Sequence, residues 1–286
     1  MSTATVIDAQ LVKTLREKTN AGLMECKRAL TETGGDLEAA IDVLRAKGAA
    51  SAAKKADREA KDGVIAQAIL PGAKVGVLVE VNCETDFVAK NDSFRAFTDD
   101  IARKIASNPD VDLESERVAA VQKIGENVRI RRSARVEVTG HGSLAAYIHT
   151  GSKVGVLVEV GSEKDDTANT EEFKQLVRDI TLQIAAANPV CVDRSQVPAA
   201  LAERERAIYR EQVPAGKTPE MVEKIVEGKM VKFYSGACLL DQTFIKNPPG
   251  DDKTIAQLLA AKSKELGDNL VIRRFLRYMV GEEIAA

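Results

Sequence analysis

The octet Lys-Val-Gly-Val-Leu-Val-Glu-Val occurs twice, at 74–81 and at 153–160, and this repetition constrains the fold more than any other feature of the chain. The likeness extends upstream. Gly63-Val-Ile-Ala-Gln-Ala-Ile-Leu-Pro-Gly aligns with Gly142-Ser-Leu-Ala-Ala-Tyr-Ile-His-Thr-Gly at the same step of 79 residues. Each copy therefore reads as a β-hairpin turning at Pro71-Gly72 or Thr150-Gly151. Downstream, Phe94, Phe97, Ile101 and Ile105 share the helical spacing of Phe173, Leu176, Ile180 and Ile184, and both stripes stop at an Asn-Pro.

The first copy continues with a helix (Val118, Val121, Ile124) stopped at Gly125, then a strand beginning Asn127-Val-Arg-Ile-Arg-Arg132. That strand has its echo at Asn269-Leu-Val-Ile-Arg-Arg274, so the second copy holds additional chain. Val197, Leu201 and Ile208 stripe one helix of the insertion, and Pro214 to Pro219 turns it. Thr218 caps a second helix, with Met221, Val222, Ile225, Val226 and Met230 on its face. The insertion is thus an antiparallel helical hairpin over about 195–232. Phe233 to Phe244 is expected as an edge strand, and Thr254 to Leu266 as a helix equivalent to the one ending at Gly125.

Before the repeat, residues 1–50 read as three short helices. Leu11, Val12 and Leu15 face the first, which ends at Asn20-Ala21-Gly22. Leu23, Met24, Cys26, Lys27 and Leu30 fall on the second, stopped by Gly34-Gly35. Asp36 caps the third, whose Leu37, Ile41 and Leu44 precede an end at Lys47-Gly48. Residues 51–62 are rich in Ala and mixed charge and are expected as a solvated linker, a helical or flexible tether. The architecture is α+β: an N-terminal three-helix module, a core N-subdomain over 63–139 and a core C-subdomain over 140–286 carrying the hairpin. Each subdomain has a small antiparallel sheet with helices on one face.

Composition removes several function classes. A net charge of −2 argues against a general nucleic-acid binder. No run is long or apolar enough to span a bilayer, and the first residues lack a signal-peptide pattern. Cys26, Cys83, Cys191 and Cys238 have no metal spacing, and with His141 and His149 as the only histidines they read as reduced thiols of a cytoplasmic protein. No phosphate-binding glycine motif or HExxH occurs. Adjacent acids such as Asp165-Asp166 diverge on a helix or loop. Arg129, Arg131 and Arg135, with Arg273, Arg274 and Arg277, read as a sheet's outer face. No enzyme, cofactor or metal site is expected.

What remains is binding surface. Aromatic residues make up only 4% of the chain, yet Phe87 sits with Thr85, Asp86 and Val88 in a strand-to-helix connection. The second copy has no such aromatic. Phe87 is either packed back on its own strand or held out as an anchor.

Cys83-Glu-Thr-Asp-Phe-Val-Ala-Lys90 after a valine-rich strand resembles the T-D-F-V signature of the elongation factor Ts family, bacterial guanine-nucleotide exchange factors for elongation factor Tu. Leu11 to Lys27 is similar to that family's N-terminal segment, and Lys123-Ile-Gly-Glu-Asn-Val-Arg-Ile-Arg-Arg132 to a second familiar stretch. The resemblance runs from about Asp8 to Glu282. It implies a module like a ubiquitin-associated domain, a core of two subdomains and a helical dimerisation hairpin, hence a possible homodimer. Many members carry a further helical module after the point where this sequence reaches Ala286, and the resemblance does not carry over a partner contact made by that module.

The resemblance also implies roles. Phe87 would wedge between helices of the partner's GTPase domain beside the Mg²⁺ site, while Asp86 holds the loop's pose through hydrogen bonds and Thr85 and Val88 flank them. Leu23, Met24 and Lys27 would grip another helix of that domain, and Ile124, Gly125 and His149 would add contacts, reaching a second domain of the partner. His149 reads equally as a polar residue at a hairpin end, and Cys26 and Cys83 as buried. No nucleic acid or membrane takes part. The alternative is a non-catalytic adaptor whose three-helix module binds partners without any effect on nucleotide release.

Overall fold

The computed structural model describes residues 7–19 and 21–283. Asn20, part of the expected end of the first helix, lies outside them. Helix α1 (Ala9–Thr19) buries Val12 and Leu15. Helix α2 (Leu23–Glu32) begins where the Glu25 carboxylate accepts the Gly22 amide at 3.2 Å. Helix α3 (Leu37–Lys55) begins where Asp36 accepts the Ala39 amide at 3.0 Å. The three share a core of Leu15, Cys26, Leu30, Ala40 and Leu44.

Two sequence expectations fail at α3. The helix does not close at Gly48, and the tether it enters, helical as far as Lys55, is not solvated throughout. A Cβ on Gly48 would lie 2.9 Å from Gln122 Oε1 and 3.2 Å from Val118 Cγ1, so the glycine marks a close helix crossing instead of a stop. Four residues on, Ala52 is buried in the core of the first subdomain. Asn127 Nδ2 donates to the carbonyls of Ala56 (3.3 Å) and Arg58 (2.7 Å), satisfying acceptors just past the helix end.

Strands β1 (Asp62–Ile69), β2 (Val75–Cys83) and β3 (Arg129–Glu137) form one antiparallel sheet in the order β1-β2-β3. Between β2 and β3 come α4 (Asp86–Lys90), α5 (Asp92–Ser107) and α6 (Glu114–Ile124). The second sheet, β4 (Gly142–Ile148), β5 (Val154–Gly161) and β6 (Val271–Met279), repeats that order, with matching bulges at Glu80/Val81 and Glu159/Val160. Its helices are α7 (Asp165–Asn169), α8 (Glu171–Ala187) and α11 (Ile255–Leu266).

Alternation along the octet decides what each side chain meets. Val77, Val79 and Val81 pack with Phe94 and Ile101 from α5, and Val156, Val158 and Val160 pack with Phe173 and Ile180 from α8. The leucines point the other way, and there the two sheets cover each other through Ile65, Leu78, Val136, Leu144 and Leu157. Each octet glycine receives the other octet's leucine: a Cβ on Gly76 would lie 2.9 Å from Leu157 Cδ1, and one on Gly155 3.0 Å from Leu78 Cδ1. The corners are also tied. Ser152 O accepts from Ile65 N at 2.7 Å and Ala73 O from Leu144 N at 2.9 Å, while Lys74 and Lys153 each donate to the first strand of the opposite copy (Gly142 O and Gly63 O, both 2.8 Å).

The arginines differ from the expected outer face. Glu80 is fully buried, and Arg131 Nη1 (3.0 Å) and Arg132 Nε (2.7 Å) close on its carboxylate. In the second copy Arg273 and Arg274 hold Glu159 at 3.2 and 2.7 Å. Sequence alternation predicts a face but not a buried acid opposite it, and that acid draws the guanidinium groups inward.

The hairpin consists of α9 (Ala199–Glu211) and α10 (Pro219–Ala237), opened by Thr218 and Pro219 as expected. The edge strand expected over Phe233 to Phe244 is absent. Helix α10 runs to Ala237, a short 3-10 turn covers Leu239–Asp241, and two isolated bridges pair Cys238 with Cys191 and Thr243 with Thr254. Val226, Met230, Phe233 and Ala237 continue one helical stripe, and Phe233 and Tyr234 pack on Cys191, Val197 and Cys238 at the hairpin base. That tertiary contact overrides the aromatic preference for strand.

Candidate partner-binding site

Strand β2 runs out at Cys83, and α4 follows as a single five-residue turn. Thr85 Oγ1 accepts the Val88 amide at 3.4 Å and starts it, and Asn91 Oδ1 accepts Ser93 N at 2.8 Å to start α5. Ala89 is buried in the subdomain core and Val88 packs against it. Helical rotation then directs the preceding side chain outward. Phe87 is 82% exposed, the most exposed of the large apolar side chains among the described residues. Of the two sequence readings, a Phe packed on its own strand is therefore excluded.

Asp86 makes its hydrogen bond inside this turn, across the length of α4. Its carboxylate accepts from Lys90 at 2.6 Å, a hydrogen bond that also holds the carboxyl below its ordinary range, and both partners are solvated. Glu126 supplies the brace. Its Oε2 accepts the amides of Glu84 (2.9 Å) and Thr85 (3.0 Å), and its Oε1 accepts the Thr85 hydroxyl at 2.6 Å. In return, Glu84 Oε1 accepts the Asn127 amide at 2.6 Å.

The α6–β3 turn that carries Glu126 is itself fixed. Gly125 ends α6 in the left-handed region (φ 85°), where a glycine is least strained. Ile124 is half-buried against the core beside it. Asn127 reaches the end of α3, and Gln122 Nε2 donates to Glu25 Oε2 in α2 at 3.3 Å. Opposite the buried Cys26, Ala29 and Leu30, α2 exposes Leu23 (54%), Met24 (62%) and Lys27. The turn at Gly125–Asn127 thus joins the module bearing Leu23, Met24 and Lys27 to the turn bearing Phe87.

His149 is elsewhere. It is exposed at the β4–β5 hairpin, its Nδ1 2.9 Å from the Tyr147 hydroxyl, and it lines a groove of about 280 Å³ with Leu182 and Ile245. Among the described residues no hydrogen bond or packed cluster connects it to the Phe87 turn. The four cysteines are free and buried, and burial pushes the Cys83 thiol up to about 12, as expected of an unreactive side chain. Among the described residues no helix is long and apolar enough to cross a membrane, and no three His, Cys, Asp or Glu side chains converge as metal ligands.

The family model for elongation factor Ts matches residues 84–282, from the brace of the Phe87 turn to the end of the second sheet. The chain belongs to the elongation factor Ts family. It is 42% identical to the elongation factor Ts of Nitratidesulfovibrio vulgaris, over 98% of this chain and 98% of that protein. It is likewise 42% identical to that of Clostridium novyi (97% and 94% covered) and 41% identical to that of Lawsonia intracellularis (97% and 99% covered). These alignments take in helix α2 with Leu23, Met24 and Lys27, which precedes the family match.

Sequence reasoning missed Glu84, Glu126 and Asn127. The repeat held the signal. Glu163, Asp268 and Asn269 recur at the matching positions, and Asp268 accepts the amides of Glu163 and Lys164 at 3.0 and 3.2 Å. Asp165 and Asp166 there occupy the places of Asp86 and Phe87, with Asp165 paired to Lys74 at 3.1 Å.

Proposed function

We propose that this chain binds elongation factor Tu loaded with GDP and accelerates nucleotide release, allowing GTP to enter. The observation that carries the reading is Phe87, a large aromatic held almost wholly in solvent on a turn whose backbone is fixed. A preorganised apolar anchor loses little entropy on docking. Inserted between helices that support the Mg²⁺ and phosphate site, it would stabilise the partner's nucleotide-weakened state. No covalent bond is made or broken. Linkage requires that nucleotide weaken the chain's binding by the same factor, so the complex is reversible.

Membership in the elongation factor Ts family supports the partner, and the geometry supports the division of labour. Phe87, with Asp86, Thr85 and Val88, is the wedge on the GTPase domain. Leu23, Met24 and Lys27 are a second grip on that domain, Ile124 and Gly125 add contacts between them, and His149 faces a second domain. The hairpin supplies a self-association surface. The work is done in the cytoplasm, where elongation factor Tu acts. Release of fluorescent GDP from elongation factor Tu, with and without substoichiometric amounts of this chain, tests the reading. Many turnovers per molecule are expected; binding that leaves the release rate unchanged would overturn it in favour of the adaptor.

A further inference from the structure

We infer that Glu126 is the positioning residue for Phe87, setting through hydrogen bonds the pose that the wedge presents. The inference rests on the exchange reading above and assigns a residue that acts through Phe87. A helix of five residues does not form on its own, because one turn must be fixed before any propagation repays it. Phe87 and Lys90 are exposed and add no burial. What fixes the start of α4 is a chain of three groups: the Thr85 hydroxyl donates to Glu126 Oε1 at 2.6 Å, and the same hydroxyl oxygen accepts the Val88 amide at 3.4 Å. Glu126 Oε2 meanwhile holds the amides of Glu84 and Thr85. Without this carboxylate three donors lose their acceptor at once, while Ala89 and the core beneath keep their packing. The aromatic would then be displaced with no loss of fold.

The second copy provides a matched control. Asp268 makes the same two amide bonds to a turn that carries Asp166 where the first copy has Phe87. It also shows that an aspartate reaches both amides from this position.

The test measures GDP release from elongation factor Tu and thermal melts for Glu126→Ala, Glu126→Asp, Phe87→Ala, Glu126→Ala with Phe87→Ala, and Asp268→Ala. Glu126→Ala should lower exchange roughly tenfold, on the order of the loss expected when an aromatic anchor worth about 2 kcal/mol no longer engages. Glu126→Asp should restore most of the rate, and adding Glu126→Ala to Phe87→Ala should cost nothing further. Asp268→Ala should leave exchange unchanged. If Phe87→Ala lowers exchange and Glu126→Ala does not, the positioning role is wrong. Equal losses from Glu126→Ala in both backgrounds, or from Asp268→Ala, would also overturn it, since the effect would not run through Phe87. If Phe87→Ala itself exchanges normally, the wedge reading falls first. Should Glu126→Ala melt below the assay temperature, Glu126→Gln, which keeps a single acceptor oxygen, completes the same cycle with Phe87→Ala.

Discussion

A phenylalanine that is 82% exposed on a fixed turn adds almost nothing to the core, so its replacement separates function from fold. Phe87→Ala should leave the thermal melt unchanged, because surface substitutions are usually within about 0.5 kcal/mol. GDP release should fall at least tenfold, since a central aromatic anchor is worth about 2 kcal/mol or more. Asp86→Ala should act in the same direction and less, and Asp165→Ala at the equivalent place should not act at all. Normal exchange with a lowered melt would mark Phe87 as structural. Glu80 is the opposite case, a charge with no access to solvent. Burial pushes its carboxyl up, but the Gly281 amide, Asn82, Arg131 and Arg132 outweigh burial and hold it below the ordinary value. A depressed carboxyl contributes stability that is present above its unfolded value and is lost as pH falls through the folded one. Glu80→Gln should therefore cost about 3 kcal/mol at pH 7, near the low end for a broken buried pair because both arginines keep some solvent. The gap between the two melts should close below about pH 4, the ordinary glutamate range; a gap constant down to pH 3 would show that shape and not charge holds the site.

At the scale of elements, the two octets explain both what repeats and what does not. Gly76 and Gly155 exist because the leucine of the other copy needs the space: Ile69 Cδ1 would lie 2.7 Å, and Leu157 Cδ1 2.9 Å, from a Cβ on Gly76. Gly76→Ala should destabilise by about 1–3 kcal/mol through overpacking. Shortening Leu157 to Val in the same chain should recover part of that loss. Additive melts from the two changes would show that the glycine is not a socket. Much of this level was legible in the sequence. The hairpins, the stripes on α5 and α8, the end of α6 at Gly125 and the inserted α9–α10 pair all follow from spacing that the chain displays locally. Three features were not. Gly48 carries the same local signal as a helix stop, and only the approach of Val118 and Gln122 shows it to be a crossing. Phe233 and Tyr234 favour a strand until the hairpin base takes them into a helix. The Glu126 brace is a polar contact across 41 residues, and polar contacts have no period; only comparing the two copies exposes it.

The whole molecule is less modular than its sequence suggests. An alanine-rich, charge-balanced segment after Gly48 reads as a tether, and a tether would leave the three-helix module and the core free of each other. Instead α3 belongs to both: Ala40 and Leu44 sit in the module's core, Ala52 sits in the first subdomain's core, and Asn127 holds the chain just past the helix end. The same Asn127 gives its amide to Glu84, behind the Phe87 turn. Leu23, Met24 and Phe87 are thus presented by one continuous set of packed helices and hydrogen bonds, which suits two grips on a single rigid domain. Removing residues 1–50 tests this joining. The cut leaves only the last turn of α3, too short to stay helical without its preceding turns, so Ala52 should lose part of its packing. The truncated core should still fold, with a melt lowered by about 2–4 °C for each kcal/mol lost at this size. It should also bind elongation factor Tu more weakly, so that exchange matches the intact chain only at high concentration. A tether predicts weaker binding with no change in the melt. Calorimetry of the truncated core beside a titration of exchange rate against its concentration separates the two, and an unaltered melt would return the segment to the role of linker.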